Sequence, residues 1–211
     1  MTRPTLLFLH GWGFDYTLWD ALCERLPEFA SVRWDRGYFG QPAAPSVAPP
    51  LIAVGHSLGA LLLAQLLPAD MPLIAINGFD RFTGPDGVPD RVLDHMRRRF
   101  AEVPGVVLNE FRNRCGAPHA HESLQAKRLA DDLTLLATER AEPAQRRVLV
   151  LHGGADPILP PALRDIVSRG RRGQFRQREG ICCRSRMPPG APTTFGALRG
   201  GSGKLRSRIK L

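Results

Sequence analysis

A serine lies at the centre of a glycine-flanked pentapeptide, Gly55-His56-Ser57-Leu58-Gly59. A serine hydroxyl attacks an acyl carbon only when a base takes its proton and amide donors receive the oxyanion. The pentapeptide follows a compact apolar run, 51–54, and precedes a segment, 58–67, rich in helix-forming Leu, Ala and Gln. Because strand–Gly-x-Ser-x-Gly–helix exposes a nucleophilic serine, we predict that Ser57 is the nucleophile. An ordinary Gly- and Ser-rich turn is the alternative.

A second glycine-rich segment, His10-Gly11-Trp12-Gly13, ends the first predicted strand. An acyl-transfer site needs a second amide donor near the serine, and a bend after a neighbouring strand can supply it. We therefore predict an oxyanion hole formed by the backbone N–H groups of Trp12 and Leu58. His10 is predicted to hydrogen-bond this loop rather than to act as the base.

An acid candidate, Asp156, lies on a loop after the predicted strand 147–151 and follows the serine in chain order, as a triad acid does. The alternative is a turn-forming Asx residue. A general base is harder to find, because all histidines precede Asp156; they are His10, His56, His95, His119, His121 and His152.

Predicted strands alternate with helical segments over most of the chain, which favours the α/β class with a mostly parallel sheet covered by helices on both faces. The exception is 81–146, where apolar residues such as Leu93 and Phe100 recur at helical spacing. We predict a core formed by 1–80 and 147–179, a helical insertion over 81–146, and an aperiodic basic tail over 180–211 that we expect to be disordered.

Charge and composition exclude several classes of function. The net charge is +9, but residues 169–211 hold ten Arg and two Lys against one acid, a net +11, so the preceding chain carries −2. A nucleic-acid-binding domain is therefore disfavoured. The sequence has no apolar run of about 18 residues, no apolar leader before the first strand and only four cysteines, so we expect a cytoplasmic protein without a disulfide scaffold.

These segments resemble the α/β-hydrolase superfamily over about residues 5–179. Within it, the chain is similar to the pimeloyl-[acyl-carrier protein] methyl ester esterase group of biotin synthesis, on the strength of 76–79 and of 111–116. The resemblance implies a four-helix lid over the site, an acyl pocket that includes Phe111, no cofactor and no metal. It also implies a basic lid surface for an acidic carrier protein. Compatible residues are Arg97, Arg98, Arg99, Arg112, Arg114, Lys127 and Arg128.

The resemblance also places a histidine after the acid, where this chain has none. His119 and His121, in the predicted lid, could replace it only by an unusual rearrangement. The Pro-, Gly- and Arg-rich tail is typical of a GC-rich gene read out of frame, and we expect it to replace the C-terminal strand and helix that would complete and cover the sheet. Restoring one G before codon 181, with one choice of synonymous codons, turns 179–189 into Glu-Gly-His-Leu-Leu-Pro-Leu-Ser-His-Ala-Ala. A histidine would then replace Ile181.

The sequence thus predicts a carboxylic-ester hydrolase, with a substrate that is a small ester or a carrier-linked one. Epoxide hydrolases and dehalogenases need a carboxylate nucleophile, which Ser57 excludes. A thioesterase uses the same triad and stays open as an alternative. The remaining alternative is a non-catalytic relic that binds an acyl group or a carrier without a base.

Overall fold

The computed structural model describes residues 3–117, 123–141 and 147–169. The predicted tail over 180–211, the predicted loss of a final strand and helix, and the candidate bases His119 and His121 lie outside the described residues.

Five parallel strands form one sheet in the order β2-β1-β3-β4-β5. They are β1 (Thr5–Leu9), β2 (Ser31–Trp34), β3 (Leu51–His56), β4 (Leu73–Ile76) and β5 (Val148–Leu151). Most are short runs of Leu, Ile, Val and Ala, the composition of parallel strands that are covered on both faces. The predicted α/β class is confirmed.

The strand order reverses at β1, since the chain passes from β1 to β2 on one side and returns to β3 on the other. Ligand sites of open α/β sheets lie at the carboxyl ends of the strands flanking such a switch point. The two glycine-rich segments singled out in the sequence follow β1 and β3, so the topology places both at this point.

Helices follow the strands and fill the sequence between β4 and β5. They are α1 (Asp20–Glu24), α2 (Leu58–Leu66), α3 (Asp90–Glu102), α4 (Pro104–Arg114), α5 (Ala126–Thr138) and α6 (Pro161–Arg169). The described part of the predicted insertion thus holds three helices, α3 to α5. The chain before α1 forms a 3-10 turn, Tyr16–Trp19, which the Asp15 carboxylate caps at the N–H of Thr17.

Alternate strand residues build two apolar layers. Leu7 and Leu9 of β1 pack in one cluster with α2 and with buried residues of the insertion helices. Leu6 and Phe8 face the other side, where they pack with Trp19. The sheet is therefore buried on both faces, and the insertion shares the larger core rather than forming a separate one.

Within the described ranges, none of the helices is long and apolar enough to cross a membrane. The same part of the chain holds no group of three or more His, Cys, Asp or Glu side chains able to bind a metal ion.

Candidate active site

Ser57 lies in a sharp turn between β3 and α2, with a backbone φ of 52° and ψ of −122°. A non-glycine residue in so sparsely populated a conformation costs about 1–3 kcal/mol and is kept only where the surroundings impose it. The Ser57 N–H donates to the carbonyl of Ile76 at 2.9 Å, which fixes the turn to β4. The predicted nucleophile is thus held at the carboxyl end of a central strand.

The two glycines of the pentapeptide permit this turn because neither position has room for a Cβ atom. A Cβ on Gly55 would lie 2.4 Å from the Cα of Ala60, and one on Gly59 would lie 2.2 Å from the carbonyl oxygen of Leu9. Helix α2 therefore sits directly against β1 and β3, with its amino-terminal turn at the serine.

The loop after β1 touches the nucleophile. A Cβ on Gly11 would lie 2.9 Å from the Cβ of Ser57. Within the described chain, neither the Trp12 nor the Leu58 backbone N–H donates a hydrogen bond. Because buried backbone donors are almost always paired, two open donors beside a serine hydroxyl fit the requirement for an oxyanion hole.

The His10 ring is buried, and its two nitrogens contact the loop after β1 and the loop after β2. Its Nδ1 lies 2.9 Å from the carbonyl oxygen of Gly11, and its Nε2 lies 3.0 Å from the backbone N of Arg36. The Gly11 carbonyl accepts from Nδ1–H and Nε2 accepts from the Arg36 N–H, while the Asp35 carboxylate lies 3.4 Å from the same Nε2. His10 therefore orients the loop and has no ring nitrogen left to take a proton from Ser57.

Helices α4 and α5 cover the loop 10–13 after β1, called the oxyanion loop below for its predicted role. The indole Nε1 of Trp12 donates to the Leu129 carbonyl at 2.8 Å. Phe111 of α4 stacks edge-on against the Trp12 ring at 4.9 Å between centroids and lies near Phe14 at 6.2 Å. The predicted substrate-binding residue is thus brought to the oxyanion loop, half-buried, and a role in an acyl pocket stays a prediction.

Asp156 lies on the loop after β5, and one of its carboxylate oxygens is committed to local structure. Oδ1 accepts from the N–H of Ile158 at 2.7 Å and from that of Leu159 at 3.1 Å, which is an Asx-type turn. The other oxygen, Oδ2, has no hydrogen-bond partner within the described ranges. The turn and the proposed role as triad acid are therefore compatible, because a histidine needs only one oxygen.

The loop of Asp156 is tied to the strand that neighbours the serine. Asn77, directly after β4, accepts from the N–H of Gly153 through its side-chain oxygen at 2.8 Å. Its own N–H donates to the Leu151 carbonyl at 2.7 Å. Serine, Asn77 and the acid loop therefore follow three adjacent strands, β3, β4 and β5, at one edge of the sheet.

Two further histidines near these strand ends are buried. Burial lowers the pKa of His56 to about 4, with a smaller contribution from His10. Burial also lowers the pKa of His152; the charge of Arg164 acts in the same direction and that of Asp156 opposes it. Neither ring nitrogen of His152 has a hydrogen-bond partner within the described residues. The position of His152 directly after β5 is the feature of the sequence that indicates a ring near the predicted acid.

Arg112 corrects one expectation about the basic lid surface. Its side chain is buried, donates to the carbonyls of Gly13 at 2.6 Å and Ala117 at 3.1 Å, and lies over the rings of Phe14 and Phe39 at 5.6 Å each. It therefore joins α4 to the oxyanion loop and is not available to a carrier protein. The sequence spacing indicates this burial, because Arg112 follows Leu108 by one helical turn and lies on the same buried side of α4.

The other basic residues of that surface fall into two groups. Arg97, Arg99 and Lys127 pair with Asp94, Glu110 and Asp131 respectively. Three exposed arginines make no ion pair within the described part of the chain; they are Arg98, Arg114 and Arg128.

Comparison with known proteins gives one curated relative. The biotin biosynthesis bifunctional protein BioHC of Cellvibrio japonicus is 32% identical over 134 residues, which cover 53% of this chain and 27% of that protein. The chain thus spans about a quarter of that relative's length. No protein-family model matches the sequence.

Solved structures resemble the whole sheet-and-helix arrangement. An esterase from Exiguobacterium antarcticum superimposes with a TM-score of 0.70 at 16% identity, covering 86% of this chain and 84% of that one. MGS-M2, an α/β-hydrolase enzyme from a Medee basin deep-sea metagenome library, gives 0.66 at 15% identity over 95% and 89%. BioG from Haemophilus influenzae gives 0.58 at 14% identity over 85% and 88%. The chain therefore has the α/β-hydrolase fold and resembles the pimeloyl-[acyl-carrier protein] methyl ester esterase group of biotin synthesis.

Proposed function

We propose that the chain is built as a serine carboxylic-ester hydrolase. The observation that carries this proposal is Ser57 itself, held at a positive φ at the end of β3 with two open amide donors beside it. An ordinary strand–helix turn has no need of a strained serine in contact with a second glycine-rich loop. The esterases among the solved structures of this fold support the same class of reaction.

In the proposed reaction, the Ser57 Oγ attacks the carbonyl carbon of the ester while a base takes the hydroxyl proton. The carbonyl oxygen becomes an oxyanion that accepts hydrogen bonds from the Trp12 and Leu58 N–H groups. The protonated base then gives its proton to the departing alcohol, which leaves an acyl-serine. Water, deprotonated by the same base, releases the acid and restores the hydroxyl. A thioester would follow the same course with a thiol as the leaving group.

The proton shuttle is the missing part of this scheme. We propose that Asp156 orients a histidine through its Oδ2, and that the intact form of the chain carries this histidine at position 181, outside the described residues. The chain as it stands is then an esterase scaffold with weak or no activity. A non-catalytic binding protein is the second candidate, because the described histidines His10 and His56 are buried and committed to the interior.

The substrate we propose is an acyl-carrier-protein-linked methyl ester used in biotin synthesis. The support is the match to a biotin biosynthesis protein, which covers only part of that relative. The exposed arginines without ion pairs, Arg98, Arg114 and Arg128, supply positive charge that an acidic carrier requires.

Hydrolysis of p-nitrophenyl butyrate tests the proposed reaction in four variants: the unaltered chain, Ser57→Ala, Ile181→His and the double variant. We expect weak or no hydrolysis by the unaltered chain and a gain of about 100-fold or more in Ile181→His, since a general base contributes on that order. The gain must vanish when Ser57→Ala is added. Ile181→Gln is the matched control and should gain nothing. Hydrolysis that persists without Ser57, or its absence from every variant and from the frame-corrected chain, contradicts the proposal.

A further inference from the structure

Helix α5 makes two contacts, one turn apart. One is with the oxyanion loop, and the other is with the Arg36 side chain in the loop after β2. The Leu129 carbonyl accepts from the indole Nε1 of Trp12 at 2.8 Å. Asp132, only 2% exposed, accepts from the Arg36 Nε at 2.8 Å and from a second guanidinium nitrogen of the same side chain. This is the planar, two-bond pairing that fixes an arginine in one orientation.

The Asp132–Arg36 pair is connected to the predicted oxyanion donor through two further hydrogen bonds. The backbone N–H of Arg36 donates to His10 Nε2 at 3.0 Å, and His10 Nδ1 donates to the Gly11 carbonyl at 2.9 Å. The Gly11 carbonyl and the Trp12 N–H belong to one peptide group. Because that group is planar and trans, fixing its carbonyl also fixes the direction of its N–H.

Tyr38 gives the same carboxylate a third donor. Its hydroxyl hydrogen-bonds to Asp132, and its backbone carbonyl accepts from the N–H of Gln125, just before α5, at 2.8 Å. Burial and the nearby Asp132 carboxylate raise the pKa of Tyr38 well above its ordinary value, so the hydroxyl keeps its proton and remains a donor. The loop after β2 is thus joined to α5 through Asp132 and at Gln125.

We propose that Asp132 is a positioning residue for the oxyanion donor of Trp12. Through Arg36 and His10 it holds the carbonyl side of the Gly11–Trp12 peptide, while the Leu129 carbonyl of the same helix holds the Trp12 indole. The helical insertion thereby sets the direction of the Trp12 N–H from both sides. This inference rests on the proposed function, because it assigns the Trp12 N–H to the oxyanion.

The test uses the full chain labelled with ¹⁵N-tryptophan, which reports the backbone and indole N–H groups of Trp12, Trp19 and Trp34. Asp132→Asn keeps the size of the side chain but removes its charge. We expect both Trp12 signals to shift or broaden while those of Trp19, on the other face of the sheet, stay in place. Asp131→Asn is the matched control, since it removes the same charge from an exposed neighbouring position. The proposal is overturned if the Trp12 signals shift no more in Asp132→Asn than in Asp131→Asn.

Titration with butyrate, a carboxylate product of the test ester, adds a functional readout. We expect butyrate to shift the Trp12 backbone signal of the unaltered chain and to bind about tenfold more weakly to Asp132→Asn, with no change in Asp131→Asn. Equal affinity in both variants overturns the positioning role. Butyrate that leaves the Trp12 backbone signal of the unaltered chain in place contradicts the oxyanion assignment of the proposed function instead. The ligand-free spectra then still decide whether Asp132 orients this peptide.

Arg36→Lys is the second test variant, to be used if Asp132→Asn does not fold. Lysine keeps the positive charge and the backbone N–H that meets His10, but it cannot make the two-bond pair. The same Trp12 signals should move by a smaller amount, with Trp19 unchanged. A folded Arg36→Lys protein with unmoved Trp12 signals also overturns the proposal.

Discussion

His56 precedes the nucleophile in the chain, but its ring belongs to the interior. It is buried beneath the turn, edge-on to the ring of Phe14 at 5.4 Å. Burial lowers its pKa to about 4, so the folded state stays neutral here at pH values where an unfolded chain takes up a proton. The unfolded histidine titrates near 6.5. This residue therefore makes the fold lose stability as the pH falls from about 6.5 towards 4.

We predict that His56→Gln reduces this acid sensitivity. Between pH 7 and pH 5, the unaltered chain should lose about 2 kcal/mol more of its free energy of unfolding than the variant does. Urea unfolding at the two pH values measures the difference. His95→Gln is the control, because His95 is exposed on α3. A variant with the same pH dependence as the unaltered chain would show that His56 is not the source.

At the scale of elements, the placement of α2 decides where the nucleophile stands. The missing side chain of Gly59 lets α2 rest against the carbonyl of Leu9 at the end of β1. That contact joins the helix carrying the Leu58 donor to the strand leading to the Trp12 donor. A side chain at position 59 would therefore move the Leu58 and Trp12 backbone N–H groups apart.

Gly59→Ala should therefore lower the free energy of unfolding by about 3 kcal/mol, since the added Cβ overlaps backbone rather than a flexible side chain. Gly105→Ala is a matched control, because Gly105 is likewise the second residue of its helix and has open space around it. It should be neutral or stabilising by roughly 0.5–1 kcal/mol. Denaturant unfolding measures both, and equal effects would disprove the close packing at Gly59.

The same scale separates what the sequence could predict from what it could not. The turn at Ser57 is local: an apolar run, two glycines and a helical segment lie within twenty residues, so its form follows from spacing. The supports of the oxyanion loop are distant, since Asp132 is 96 residues from Arg36 and Arg112 is 99 from Gly13. Their burial can be recognised in the sequence by one feature: a charged residue lies on an apolar helix face, as Asp132 does with Leu129 and Leu133. No feature of the sequence indicates which residues they bind.

At the scale of the whole molecule, charge is distributed unevenly. The residues before 169 are close to neutral, yet the insertion helices carry Arg98, Arg114 and Arg128 as exposed arginines that lack ion-pair partners within the described chain. Since Arg112 is buried and three other basic residues are paired, the positive charge available to a partner is smaller than the sequence suggests.

The double variant Arg98→Glu/Arg114→Glu should bind an acyl carrier protein about tenfold more weakly at low salt, with the difference shrinking as salt is raised. Fluorescence anisotropy of a labelled carrier measures the affinity. Arg3→Glu/Arg25→Glu changes the net charge equally at exposed positions near β1 and α1, and it should have a smaller effect. Equal losses in the two double variants would mean that only overall charge matters, and that the insertion is not the docking surface.

The backbone of Ser57 also sets a cost in stability on keeping a side chain at this position. Glycine adopts a positive φ without steric cost, so a sequence selected only to fold gains by replacing the serine with glycine. Glycine at this position needs no rearrangement of the neighbouring helix or strand. The Ser57 side chain is therefore carried at a cost of about 1–3 kcal/mol in backbone conformation, which the packing of α2 against β1 and β3 must offset.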